Sequence, residues 1–168
     1  MPANNFEYAL KNKISATLLK MGIPAMVYRV KQSRYVVQHC DIKVDSANPQ
    51  MYSAIECKNL NKKNNELYFS SHMRAPQIVQ MTEVIRLSGR RGWLAIRNRS
   101  GIYSIPWPVV VWYFNRNSRC LPACEIYKYY SMSPHVLFSN AYHKTYNQYA
   151  HVKPILTQNS KIIIYKIA

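Results

Sequence analysis

Acids are the scarcest chemical class in this chain: two Asp and five Glu stand against 23 Lys and Arg, a formal net charge of +16 at pH 7. That imbalance favours a polyanionic partner, and nucleic acid is the commonest one. Anionic lipid is the competing partner, but no run of five or six Lys or Arg marks a lipid-binding segment. Long apolar runs are also missing. No stretch approaches the roughly 18 to 20 apolar residues that a membrane span needs, so no membrane partner is expected. The first residues, MPANNFEYALKNK, lack both a basic region leading into an apolar core and a small-residue cleavage site. An intracellular location is expected on that ground, in the cytoplasm or nucleoid, with a cellular or a viral gene as the two alternatives for its origin. The four cysteines include Cys120 and Cys124 but no second closely spaced pair or H-x-x-x-H partner, which disfavours zinc and leaves reduced, mostly buried thiols. A disulfide or metal clip between Cys120 and Cys124 is the alternative.

What is present suits one folded domain: 168 residues, 48% hydrophobic and 18% charged. No internal repeat is visible. Residues 84–168 hold twelve Lys or Arg and one acid, Glu125, so most of the positive field comes from the distal half. Apolar residues at 6, 10, 14, 18 and 21 predict a first helix that Gly22 ends, with Asn4 and Asn5 as caps. Strands are predicted for PAMVYRV from Pro24, for YVVQHCDIKV, and for MYSAIECKN after the turn-rich segment 45–50, the last two forming a hairpin over 36–59. Asp45 is assigned to that turn. Residues 59–65, NLNKKNN, read as a polar loop that an anion would order. Pro76 opens a second helix ending at Ser88 and Gly89, and Trp93–Arg97 with Ile102–Ile105 make a second strand pair. The run at 109–114, VVVWYF, does not distinguish strand from helix, and after 115 only the closing KIIIYKI reads as a strand.

The chemistry-bearing residues lie in the hairpin. Asp41 precedes Ile55-Glu56-Cys57-Lys58 by about one hairpin length. A Glu-x-Lys tripeptide alone is expected about 0.4 times in a shuffled chain of this composition, but about 0.03 times with an Asp at that spacing. Paired antiparallel strands bring Asp41 and Glu56 to one end of a sheet, and Glu56 and Lys58, two apart, face the same way. Two carboxylates beside a backbone carbonyl make a hard-oxygen site for Mg²⁺ or Mn²⁺, and a neighbouring lysine orients water or stabilises charge on a phosphate. The alternative is that all three are strand-end residues, with Asp41 and Lys58 in a surface ion pair.

Residues 5–112 resemble the PD-(D/E)xK nuclease superfamily, and within it the archaeal-type Holliday junction resolvases. The matching pieces are Phe6-Glu7-Tyr8-Ala9-Leu10, Gly22 to Arg29 leading to Ser33, Cys40-Asp41-Ile42, Ala54-Ile-Glu56-Cys57-Lys58, Leu67-Tyr-Phe-Ser70, the helix with Gln77 and Gln80, and Gly92-Trp-Leu-Ala-Ile96 with Tyr103 and Ile105. Cys40 stands where the family has a proline. The resemblance implies an α/β (α+β mixed sheet) fold, a restriction-endonuclease-like αβββαβ core over residues 1–116, followed by a basic, Tyr-rich extension, 117–168. It also implies that Asp41 and Glu56 hold Mg²⁺, or Mn²⁺, with the backbone carbonyl of Cys57, that Lys58 assists the attacking water, and that Glu7 completes the metal environment directly or through water. From the residues alone, Glu7 is a helix N-terminal acid that Lys11 would pair.

Expected DNA contacts are Arg29, Ser33, Arg34, Lys62, Lys63, Gln77 and Gln80. Arg29 and Ser33 match positions beside the scissile phosphate, with a plain loop surface as the alternative. Gln77 and Gln80 are either near the site or on a polar helix surface. His72 either touches a phosphate or is a partly exposed polar residue. Tyr127, Tyr129, Tyr130, Tyr142, Tyr146 and Tyr149, among Lys128, His143 and Lys144, suit base stacking, a dimer interface or, most simply, core packing. The expected function is a magnesium-dependent endonuclease, a homodimer resolving four-way or other branched DNA in recombination and repair. A nuclease of the same family with restriction, repair or viral DNA-processing specificity is one alternative, and a non-catalytic nucleic-acid-binding protein the other.

Overall fold

The computed structural model describes residues 4–30, 39–60, 65–129, 155–156 and 163–164. Ser33, Arg34, Lys62, Lys63 and the tyrosines from 130 onward lie outside the described residues, as do His143 and Lys144.

Helix α1 (Asn4–Lys20) buries Phe6, Leu10, Ile14 and Leu18, one residue per turn, and Gly22 follows it in the left-handed conformation. Met21, expected to extend that stripe, is exposed because the helix has already ended. Strands β1 (Ala25–Arg29), β2 (Ile42–Ser46) and β3 (Ser53–Asn59) pair antiparallel in chain order. Strand β4 (Leu67–Tyr68) and helix α2 (Ala75–Ser88) then carry the chain over to β5 (Arg91–Asn98), which pairs parallel with β3, and β6 (Gly101–Pro106) returns antiparallel to β5. The sheet order is β1-β2-β3-β5-β6. A parallel pair requires a crossover, and α2 supplies it. The order helix, three strands, helix, strand in one mixed sheet is the expected αβββαβ core.

Both faces of this sheet are covered. Arg97 of β5 lies over the ring of Phe6, so α1 packs on the face that holds Asn59, Cys57 and Ile55 of β3. Gly92 of β5, partnered with Ala54, faces the other way and lies against Ile85 of α2 and Trp107 of α3 (Trp107–Asn115). Double coverage explains why Ser53 to Cys57 and Gly92 to Ile96 are unbroken buried runs rather than alternating ones. The run 109–114 is helical: Pro106 stops β6, Pro108 sits in the first helical turn, and Val109, Val110 and Val111 are buried.

Two expectations change. Of the strand predicted over 35–44, residues 35–38 lie outside the described residues; among the described ones β2 begins at Ile42, with Asp41 joined to both neighbouring strands by backbone hydrogen bonds just ahead of it. Asp45 lies inside β2 rather than in the turn, where Tyr28 donates to it at 2.9 Å and the buried Arg90 pairs with it. Burial opposes the charge of Asp45, but those donors outweigh it and hold the carboxyl below its ordinary range. The cysteines are free thiols, as expected, with Cys40 and Cys57 buried, while Cys120 is half-buried and Cys124 exposed.

Residues 116–129 continue the same body. Strand β7 (Cys120–Leu121) pairs antiparallel with β4, helix α4 (Ala123–Tyr127) buries Ile126, and the Ser104 amide of β6 donates to the Tyr129 carbonyl. Tyr129 is buried in the core and Tyr127 is exposed beside Tyr103. The strand expected in KIIIYKI is present as β9 (Ile163–Ile164), antiparallel to β8 (Ile155–Leu156). Among the described residues no helix is long and apolar enough to cross a membrane.

Candidate active site

The register of the β2–β3 hairpin places Asp41 opposite Glu56. Ile42 pairs with Ile55, and one residue earlier the Asp41 amide donates to the Ile55 carbonyl at 3.0 Å, while the Asp41 carbonyl accepts from Val30 at 2.9 Å. Bound by its backbone to β3 on one side and β1 on the other, Asp41 is fixed at the sheet rim although it precedes the strand proper. Its carboxylate oxygen Oδ2 accepts the Cys57 N–H at 2.7 Å. In a strand the N–H and C=O of one residue point to the same neighbour, so the Cys57 carbonyl is aimed at the Asp41 side as well. Its thiol points into the core, where burial pushes it well above the ordinary thiol range. Nothing there suggests thiolate chemistry.

Glu56 is 2% exposed, which makes its environment decisive. Lys58 Nζ lies 2.8 Å from Glu56 Oε1, and Gln77 Nε2 of α2 donates to the same oxygen at 2.5 Å. Lys58 also donates to Gln77 Oε1 at 3.4 Å, so carboxylate, ammonium and amide close a ring of three side chains. Burial, followed by the charge of Asp41, pushes the Glu56 carboxyl up to about 7 despite Lys58 and Gln77. Asp41 is raised too, by burial first and then by Glu7, against the Cys57 amide, Lys58 and Arg29. Two buried carboxyls that are both raised, Glu56 in part by the charge of Asp41, mark a place short of positive charge.

Glu7 enters from the first turn of α1. Its partner is Arg29, not Lys11: Arg29 Nη2 and Nε lie 2.6 and 3.1 Å from Glu7 Oε2, while Lys11 is turned to Asn12. The pair joins residues 22 apart through the packing of α1 on β1, which no local spacing signals. Gln80, one turn beyond Gln77, is half-buried and makes none of these contacts. Of the expected residues the structure thus groups Asp41, Glu56, Lys58, Cys57 and Gln77, with Glu7 and Arg29 adjoining.

Arg90 was not singled out by the sequence. It is 9% exposed and donates to the carbonyls of Val44 and Ser53 at 3.1 and 3.2 Å, pairs with Asp45, and stacks 4.0 Å from the Tyr52 ring centroid. It ties β2 to β3 at the end of the hairpin away from Asp41, where the register that aligns the site begins. An arginine directly after a helix-ending Gly89 is an ordinary surface pattern, and only the fold buries it.

Among the described residues no three His, Cys, Asp or Glu side chains converge on one point. Asp41, Glu56 and the Cys57 carbonyl instead offer an all-oxygen set of the kind that suits a hard divalent cation, which typically completes its shell with water and substrate phosphate.

Among solved structures, the chain is similar to Hjc, a Holliday junction resolvase from the archaeal hyperthermophile Archaeoglobus fulgidus. The two are 17% identical, the match covers 73% of this chain and 94% of the other, and the TM-score is 0.49. No family model and no curated protein matches the chain.

Proposed function

We propose that the chain is a metal-dependent endodeoxyribonuclease that hydrolyses phosphodiester bonds in branched DNA, in the manner of a Holliday junction resolvase. The observation that carries this reading is the closed group of Asp41, Glu56, Lys58 and Gln77 at one sheet end, locked by the Cys57 amide, on a chain of net charge +16. The carboxylates of Asp41 and Glu56 with the Cys57 carbonyl are the donors for Mg²⁺, or Mn²⁺. When bound, such an ion polarises a phosphate and acidifies a water. It also supplies the positive charge that the raised pKa values of Asp41 and Glu56 call for.

The chain's own groups do the rest. Lys58 is held by Glu56 and Gln77 so that its ammonium faces the reacting phosphate, where it orients the water and offsets charge on the phosphoryl oxygens. Gln77 restrains both partners at once. Arg29, half-exposed beside Glu7, is placed to meet a neighbouring phosphate while keeping Glu7 neutralised. Resolution of a four-way junction requires two symmetric nicks, so a two-fold dimer is part of the proposal.

The test is cleavage of a labelled four-way junction and its matching linear duplex, with Mg²⁺ or EDTA, by the wild type and Glu56→Gln. Paired symmetric nicks confined to the junction, lost with EDTA and with the variant, are the expected result. Cutting of both substrates would keep the nuclease and remove the junction specificity. Tight binding without metal-dependent cutting of either would leave a nucleic-acid-binding protein.

A further inference from the structure

Beside the carboxylate group runs a second row of polar side chains that the proposed chemistry does not use. His72 lies on the turn between β4 and α2, five residues before Gln77, and close enough to Lys58 for that charge to act on its ring. Its Nδ1 accepts the Tyr68 backbone N–H at 3.0 Å. A nitrogen that accepts an N–H carries no proton, so in the neutral ring the proton sits on Nε2. Burial, then the charge of Lys58, lowers the histidine's pKa and keeps it neutral. The result is a donor of fixed tautomer, half-exposed, next to the lysine of the proposed site.

The row continues from His72 to Tyr68 and Arg119. The Tyr68 ring lies 6.1 Å from that of His72, and the guanidinium of Arg119 sits 5.5 Å from the Tyr68 centroid. Tyr68 and Arg119 are joined by the β4–β7 pair, in which Tyr68 partners Cys120 and the Phe69 amide donates to the Arg119 carbonyl at 3.2 Å. The acid in this row, Glu66, takes the Tyr68 hydroxyl at 2.7 Å and the Cys120 thiol, and Arg119 itself is exposed. A neutral donor, an aromatic ring and an exposed guanidinium in successive contact match the chemistry of a nucleic-acid backbone.

We propose that the β4–β7 ribbon is a DNA-backbone contact flanking the cleavage site, with His72 Nε2–H donating to a phosphate oxygen beside Lys58 and Arg119 pairing with a phosphate further along the strand. This rests on the nuclease reading for its location, but its test does not depend on cleavage. Binding of a labelled four-way junction and of linear duplex is measured in EDTA over a range of salt, for the full chain and the variants His72→Asn, His72→Gln and Arg119→Ala, each checked by thermal melting.

Asn keeps an acceptor for the Tyr68 amide and removes the distal donor, whereas Gln restores an amide donor near the Nε2 position. A lost hydrogen bond to a charged group gives roughly tenfold weaker binding for H72N, with the salt slope unchanged because a neutral donor displaces no counterion. H72Q is expected to recover part of that loss. R119A is expected to weaken binding to all sequences alike and to lower the salt slope by about one. Wild-type affinity in both H72N and R119A, with unchanged melting, would overturn the proposal even if Glu56-dependent cleavage is seen. Weakened binding in a protein that never cleaves would retain the ribbon contact and discard the nuclease.

Discussion

Glu56 is the residue on which the proposed chemistry turns, and its buried carboxyl makes a pH prediction with a definite sign. The folded protein holds a proton up to about pH 7 that the unfolded chain, with an ordinary value of 4.5, has already released. Stability is therefore fully present below 4.5, falls as pH rises toward about 7, and levels off above it. Melting in EDTA should show Glu56→Gln losing this dependence, so that wild type drops relative to the variant by roughly 5–10 °C between pH 5 and pH 8. Added Mg²⁺ should recover more of that loss at pH 8 than at pH 5. Gln77→Ala removes a donor that lowers the Glu56 pKa. It is expected to slow cleavage about tenfold and to move the acid limb of the pH–rate profile to higher pH, a shift that a merely structural residue would not cause.

At the scale of elements, the site depends on the register of β2 against β3, and the far end of that hairpin is set by Arg90. Arg90→Met removes the donor that two strand carbonyls share and leaves Asp45 with Tyr28 alone, and is expected to cost about 3 kcal/mol in denaturant unfolding. Gly92 is a tighter constraint. A Cβ there would come within 2.1 Å of Ile85 Cδ1 and 2.7 Å of Trp107 Cβ, so Gly92→Ala should push α2 and α3 off the sheet and cost about 1–3 kcal/mol or more.

These elements also show what the sequence made legible. The helices α1 and α2 were readable because their apolar spacing and their glycine stops are local. The pairing of Asp41 with Glu56 was readable because a hairpin converts sequence distance into register. Of the strand read over 35–44, the described part before Ile42 is His39, Cys40 and Asp41, which lie just ahead of the paired strand although their neighbours carry strand propensity. Asp45 and Arg90, and likewise Glu7 and Arg29, were not readable as pairs, since each contact depends on how separate elements pack. The helical state of 109–114 was undecidable from an apolar run alone and is settled by the prolines around it and the sheet face it covers.

At the scale of the whole molecule, the excess of base over acid predicts that DNA affinity falls steeply with salt, by at least about tenfold between 50 and 200 mM if only a few phosphates are engaged. Glu56→Gln should bind as tightly as wild type or more so, because it removes negative charge from a phosphate site. A two-fold assembly is expected by gel filtration at micromolar concentration, and a monomer there would count against paired nicking. The most direct measurement remains metal-dependent cleavage of the four-way junction beside its linear duplex, by wild type and Glu56→Gln. Paired nicks on the junction that vanish with EDTA and fall by a hundredfold or more (order of magnitude) in the variant are expected. Cleavage undiminished in Glu56→Gln, or none by the wild type at any divalent metal concentration despite tight binding, would contradict the assignment of Asp41, Glu56 and Lys58 as a nuclease centre.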